Sequence, residues 1–378
     1  MTPPSRNKNL MTSFIPQIEP FINELELKYL KQVVESTYVT ENKLTKEFED
    51  RIKKLTGAKH AIAVCNGTAA LFCCLKALDI GAGDEVIVPN LTFIATANAV
   101  IMAGAVPVLC DIRREDLSFD LEKLESCITA KTKAIMPVHL YGFSADMDSI
   151  TEVADKYGLK VIEDAAQGVG VRYKGTHTGT MGDMGVLSFY GNKTITCGEG
   201  GIVLTDDDKL SRRCYQLKNH GRSSKGVFVH ESIGYNFCFT EMQAAVGLAQ
   251  LDKLQSIIDT KQGIRDKYVL ALDHLKEDLE PLTPDAHTSP VYWFTSFLTP
   301  YKKELQSYLK ERGVQTREFF YPLDMQPCYD TNVIRGSTFK NSHELYSLGI
   351  SLPSSYSLNW GEQQRVITAI EEFFQKDS

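Results

Sequence analysis

AIAVCNGTAALFCCLKALDIGAGDEVIVPNLTFIATANAVIMAGAVPVLCDI, residues 61–112, decides the fold. AIAV (61–64), EVIVP (85–89) and VPVLCDI (106–112) are short apolar runs without polar alternation, the pattern of strands buried on both faces. Between them, AALFCCLKAL (69–78) and TANAVIMAG (96–104) carry helical spacing. Strands that alternate with helices predict a mostly parallel sheet joined by right-handed crossovers. The alternation continues through AIMPVHL (134–140), a helix over 147–157, LKVIEDA (159–165), GVLSFY (185–190) and GGIVLTD (200–206). The fold class is α/β with a mostly parallel central sheet.

Outward from this block, helical spacing covers 22–36 and 44–56, with Thr45 as the expected cap of the second helix. Downstream, a long helical stretch covers 240–276. Past PLTPDAHTSP (281–290) the chain reads as strand VYWFTSFLT, helix KKELQSYLKERG, another strand, and a last helix from 361. This order predicts a smaller C-terminal α+β domain. The expected division is a flexible tail over 1–13, a large domain over 14–255 and a small domain over 256–378.

The 378 residues suffice for these two domains, and 43% hydrophobic with 24% charged residues is ordinary globular composition. A net charge of -7 gives no electrostatic reason to expect nucleic acid or an acidic membrane surface as partner. No stretch approaches the roughly 18 apolar residues of a membrane span, and MTPPSRNKNLMTSF lacks the apolar core of a signal peptide. The nine cysteines form no C-x-x-C pair and no cluster with metal-ligand spacing. They are expected as reduced thiols in a cytoplasmic protein, with no metal site.

Four segments carry chemistry. In SFYGNKTITCGEGGIVLTDD (188–207), Lys193 follows a strand and precedes a glycine-rich turn, where an amine can be partly desolvated and nucleophilic. In VIEDAAQGVG (161–170), Asp164 ends a strand, where open α/β sheets bind ligands. A carboxylate there can hold a protonated ring nitrogen. In CNGTAALFCCLKAL (65–78), a small polar turn enters a helix whose backbone N–H groups, with the Thr68 hydroxyl, suit a phosphate. In PNLTFIAT (89–96), Phe93 can stack on a flat ring. Taken singly, a solvated lysine, two helix caps and a core phenylalanine explain them as well. Together, in this order on one sheet, they compose a site for pyridoxal phosphate.

With NGTAAL, GDEVIVPNLTFIAT, GAVPVLCDI, IEDAAQGVG, SFYGNKTITCGEGG, GYNF and FFYPLDMQPCY, the chain resembles the DegT/DnrJ/EryC1/StrS sugar aminotransferases, over 14–374. The resemblance implies a fold-type-I pyridoxal-phosphate transferase that passes through pyridoxamine phosphate, and a homodimer with shared active sites. FYGNKTIT followed by GEGG is most similar to the branch that makes GDP-perosamine, using L-glutamate to aminate C4 of a GDP-linked 4-keto-6-deoxy sugar. The dTDP- and UDP-sugar 4-aminotransferases are the neighbouring readings. A sugar dehydratase of this fold would carry histidine in place of Lys193, and a silent sensor or scaffold is the reading outside catalysis. Carried over residue by residue, Lys193 becomes the Schiff-base lysine and Asp164 the partner of the ring nitrogen. Gln167 lies near the ring's 3-oxygen and Phe93 on its face. Thr68, the backbone of Ala69, and Ser188 bind the phosphate, which Asn236 reaches from the neighbouring subunit. His139, Arg317 and Tyr321 are substrate-side or supporting groups. Two positions depart from the family pattern. Cys238 stands where an arginine is usual, which bears on the donor carboxylate. Asp324 stands where a histidine is usual, which bears on the sugar end.

Overall fold

The computed structural model describes residues 14–224, 226–329, 336 and 338–375; the tail expected over 1–13 lies outside the described residues. Two helices lead in, α1 (Glu24–Ser36) and α2 (Lys43–Thr56). Then follow β1 (His60–Val64), α3 (Gly67–Ala77), β2 (Glu85–Pro89), α4 (Ala95–Met102), β3 (Val106–Cys110) and β4 (Thr132–Ile135). Next come α5 (Met147–Tyr157), β5 (Lys160–Asp164), β6 (Met184–Ser188), β7 (Gly201–Thr205), α6 (Asp208–Lys218) and α7 (Glu241–Ala271). Among the described residues the seven strands form one sheet in the order β1-β7-β6-β5-β4-β2-β3. Pairing is parallel from β6 through β3, and only β7 runs against its neighbours.

Both faces are covered, as the unbroken apolar strands require. On one side Leu71, Ala97 and Cys214, from α3, α4 and α6, pack with Val86, Ile162 and Val186. On the other, Phe48 of α2 and Leu248 of α7 pack with Ala63, Leu187 and Ile202. Thr45 does not cap α2. Asn42 holds the cap position without a side-chain bond, and Glu241, 3% exposed at the start of α7, serves in its place. Its carboxylate accepts the N–H groups of Asn42, Leu44 and Thr45 and the Thr45 hydroxyl, at 2.7–2.9 Å. An anion over orphan N–H groups also complements the helix dipole.

The 31-residue α7 passes from one core to another. Its Leu254 and Ile257 belong to the sheet core, whereas Ile264 and Tyr268 pack with Val366 and Ile370 near the C-terminus. There a four-stranded antiparallel sheet is built from β8 (Glu280–Pro281), β9 (Thr295–Leu298), β10 (Arg317–Glu318) and β11 (Gly349–Leu352), in the order β8-β9-β11-β10. Helices α8 (Lys302–Glu311), α9 (Lys340–Leu348) and α10 (Trp360–Gln375) accompany it. Ile15 is buried in this same core, bridged by backbone bonds to Gly313 and Gln315. Among the described residues no helix is long and apolar enough to cross a membrane.

Candidate active site

Strand β5 ends in two adjacent carboxylates with opposite fates, because successive side chains point to opposite faces. Glu163 is fully buried and saturated. It accepts from the N–H groups of Gly179, Met181 and Gly182 at 2.6–2.7 Å and from His139 Nε2 at 2.9 Å. Burial pushes its carboxyl up, but the His139 and backbone bonds outweigh that and hold it below the usual range. Among the described residues, the Asp164 carboxylate receives only the Thr96 hydroxyl (2.8 Å) and the Ala166 N–H (3.1 Å). Burial dominates and pushes it up, only partly offset by Thr96, Ala166 and the Lys193 charge. Two donors for a carboxylate with about four lone-pair sites leave capacity for one more donor.

That capacity faces a cavity of about 500 Å³ outside the C-terminal ends of the parallel strands. Lys193 lines the same cavity, in the loop after β6. Among the described residues its amine makes no hydrogen bond or ion pair, and it lies 4.0 Å from the centre of the Trp293 ring. Burial lowers its pKa to about 8, against the opposing pull of Asp164 and with the help of Arg317. A base poised there is partly neutral near physiological pH.

The N-terminus of α3 forms a third side. Asn66 caps the helix by accepting the Ala69 N–H at 2.8 Å, and Ala69 lines the cavity. The open donors of the first turn are the N–H groups of Gly67 and Thr68 and the Thr68 hydroxyl. Close approach is built in. A Cβ on Gly201 would stand 2.4 Å from the Asn66 carbonyl, and one on Gly67 would stand 3.0 Å from Ser188 Cβ. Ser188, at the end of β6, therefore borders the same cradle.

Phe93 is 51% exposed and lines the cavity, its ring 5.5 Å from that of Phe320. Gln167 is buried at the cavity wall, its Oε1 accepting the Tyr141 N–H at 2.7 Å. Arg317 lines the cavity from β10. Two expected residues do not reach it. His139 is fully buried behind Asp164, with Nδ1 accepting from Ala145 and Nε2 donating to Glu163. Tyr321 turns outward, packing edge-on against Tyr346. Asn236 is exposed, on a segment that pairs with Asn219, and does not line this chain's cavity.

The departures also find places. The Cys238 thiol donates to the Lys218 carbonyl at 3.4 Å, away from the cavity lining. Asp324 accepts from Asn90 Nδ2 at 2.7 Å and pairs with His343 Nε2 at 2.8 Å. Sequence reasoning missed Trp293, Thr96 and Phe320. Trp293 and Phe320 sit about 100 residues or more from Lys193 in sequence, and no local pattern marks them. A larger open depression of about 960 Å³, beside α2 and α6, is lined by solvated charges of both signs, such as Lys53 and Asp50.

Pyridoxal phosphate fits these residues. The under-bonded Asp164 can take a pyridinium N–H, the unpaired Lys193 can take an aldehyde, and the open N–H groups of α3 can take a phosphate. The fold and this site define a fold-type-I, pyridoxal-phosphate-dependent aminotransferase. More narrowly, the chain belongs to the DegT/DnrJ/EryC1/StrS aminotransferase family, whose profile matches residues 20–371. It is 38% identical over 365 residues to a GDP-perosamine synthase of Escherichia coli O157:H7, covering 96% of this chain and 99% of the relative. A GDP-perosamine synthase of Vibrio cholerae is 35% identical over 371 residues, covering 95% and 99%. Among solved structures, DesV of S. venezuelae in complex with a ketimine intermediate superposes with a TM-score of 0.89 at 32% identity, covering 96% of this chain and 99% of that one. An aminotransferase from Psychrobacter cryohalolentis gives 0.90 at 30% identity, with the same coverages.

Proposed function

We propose that this chain moves an amino group from L-glutamate to C4 of a GDP-linked 4-keto-6-deoxy sugar, as a GDP-perosamine synthase. The observation that carries the chemistry is the under-bonded Asp164 sharing one cavity with the unpaired amine of Lys193. The sugar assignment rests on the two relatives of that name.

When bound, pyridoxal phosphate supplies an electron sink next to the carbon that carries the amine. Asp164 holds the proton on the ring nitrogen. Thr96 orients that carboxylate through its 2.8 Å bond. Lys193 Nζ removes the proton from Cα of glutamate in one half-reaction and returns one to sugar C4 in the other. The Phe93 ring lies along one face of the site and excludes water there. Gln167 would border the ring's oxygen substituent, and Thr68, the Gly67 amide and Ser188 would hold the phosphate. Arg317 is the cation offered to an anionic group of donor or nucleotide.

The reading includes a homodimer in which the partner's Asn236 completes the phosphate site. Asn236 is exposed here, and Phe228 (79%), Val229 (68%) and Ile233 (85%) of the adjoining loop are apolar side chains exposed to a degree that suits an interface. The nine free thiols suit a cytoplasmic enzyme. A domain boundary in α7 near 255 suits a helix that serves two cores.

The test is a glutamate-dependent assay against GDP-, dTDP- and UDP-linked 4-keto-6-deoxy sugars. Amination of the GDP sugar at least tenfold faster than the others is expected. A preference for dTDP or UDP overturns the nucleotide assignment, and no amination of any of them overturns the function.

A further inference from the structure

Among the described residues, nothing but an aromatic face holds the Lys193 amine. Its nitrogen lies 4.0 Å from the centre of the Trp293 ring, inside the reach of a cation–π contact. Trp293 is itself fixed at three points, two on its ring and one on its backbone. The indole N–H donates to the Asn192 carbonyl at 2.6 Å, one residue before the lysine. Its ring stacks on Phe294, centroids 3.9 Å apart. Its own carbonyl accepts from Lys261 Nζ at 3.0 Å, and Lys261 also donates to the Ser354 carbonyl at 2.9 Å. Lys261 is buried on α7 with no acidic partner among the described residues. A buried amine kept without a counter-charge, on the backbone of the residue beneath Lys193, implies that the place of this indole matters.

We propose that Trp293 is a positioning residue of the reaction, its indole face holding the Lys193 amine whenever that amine is free, and its N–H fixing the backbone to which the amine returns. The proposal rests on Lys193 being the reacting lysine. Across the two half-reactions that amine would be displaced once, act on a proton at glutamate Cα and then at sugar C4, and return to its covalent bond only at the end. An amine without such a support is drawn toward Asp164, whose charge acts on it across the same cavity. The ring offers the ammonium a weak, non-bonding rest position instead, and leaves it able to give up its proton. The other ionisable groups that line this cavity are Asp164 from β5, Arg317 from β10, and Glu199 and Tyr190 from the loops after β6, of which Asp164 and Arg317 act on the amine.

The experiment compares Trp293→Leu, which removes the aromatic face, with Trp293→Phe, which keeps one. The readout is the pH midpoint at which the Lys193 peptide of the cofactor-free protein is labelled by an amine-reactive reagent, read by mass spectrometry. Wild type is expected near pH 8. Loss of the face favours the neutral amine, so the midpoint of Trp293→Leu should fall by about one and a half units, the size of a desolvated cation–π contact. Trp293→Phe should fall by less than half as much. With substrate, kcat of Trp293→Leu should drop about tenfold while KM for glutamate stays within about twofold. An unmoved midpoint in both variants overturns the proposal, and so does a loss confined to cofactor affinity, which a mere wall would produce. Should the leucine variant fail to fold, Trp293→Met, which also lacks an aromatic face, takes its place, and an unmoved midpoint in it overturns the proposal. Full activity in Lys193→Ala would instead sink the reading of Lys193, whatever the Trp293 variants show.

Discussion

The cavity has two walls made on different principles. The wall from the large sheet carries most of the cavity's polar groups, at strand ends and one helix start, namely Asp164, Ser188, Thr68 and the loop bearing Lys193, with apolar side chains such as Phe93 and Leu71 between them. Its groups are close to one another but not fully bonded to one another. The facing wall comes from the C-terminal part of the chain and is mainly aromatic: Trp293 and Phe320, with Arg317. Its rings are packed on Tyr141, whose centroid lies 5.4–6.2 Å from those of Phe320 and Trp293. Tyr141 itself adopts a left-handed backbone, φ 55°, and a Cβ on the next residue, Gly142, would strike the Val291 carbonyl at 1.8 Å. One wall keeps unused bonding capacity for chemistry. The other spends its contacts on rigidity. The contrast teaches that reactivity here is a local deficit of partners, held open by a surplus of packing opposite it.

The largest expected effect is on the polar wall. Lys193→Ala should lower turnover by roughly 10³-fold or more, the scale of losing a positioned base and nucleophile together. Exchange of its subunits with those of an Asn236 variant, inactive alone, should restore about a quarter of wild-type activity. Half of randomly mixed dimers are hetero, and two-fold symmetry gives each of these one intact site. No recovery under proven exchange would place Asn236 within its own chain's function and remove the shared site.

Next comes the pair on β5. Asp164→Asn should cost roughly 10²-fold in kcat, since an amide cannot favour a charged ring nitrogen. Yet the cofactor-free protein should lose no stability, because the substitution removes a buried charge short of donors. Glu163→Gln should do the reverse. It breaks a saturated buried network and should cost about 3 kcal/mol in chemical denaturation, with a smaller effect on kcat per folded enzyme. Equal stability losses for both would erase the distinction drawn between the two sides of the strand.

The smallest effect tests the packed wall. Burial depresses the Lys261 amine to about 7. The unfolded chain, with an ordinary lysine, then binds more protons between about pH 7 and 10, so this group's contribution to stability rises with pH across that window and is lost as pH falls through 7. Lys261→Met should abolish that component. The difference in unfolding free energy between wild type and variant should shift toward wild type as pH rises from 7 to 9. A difference independent of pH would mean that Lys261 titrates normally in the fold.

Much of the polar wall was legible before any coordinates. Strands at 85–89 and helices at 147–157 stand where spacing put them, because unbroken apolar runs and 3.6-residue periods report burial directly. Lys193, Asp164 and Thr68 were legible because each belongs to a strand end, a turn or a helix start, whose backbone geometry is set within a few residues, whereas Ser188 came only with the family resemblance. The chain order of those elements then implies one sheet edge on which they meet.

What only the tertiary structure decided involves partners far apart in sequence. It decided that Glu241, about 200 residues away, caps α2 in place of Thr45. It decided that His139 supports Glu163 from behind and that Tyr321 faces outward. It also decided that Trp293, a hundred residues beyond Lys193, supplies the face beneath the amine. Alternation along β5 separates Glu163 from Asp164, but which side opens on a cavity depends on how the C-terminal sheet docks. The physical reason is range: backbone bonding and periodic burial act over a few residues and leave a local pattern, whereas the meeting of two walls is fixed by side-chain packing between elements and leaves none.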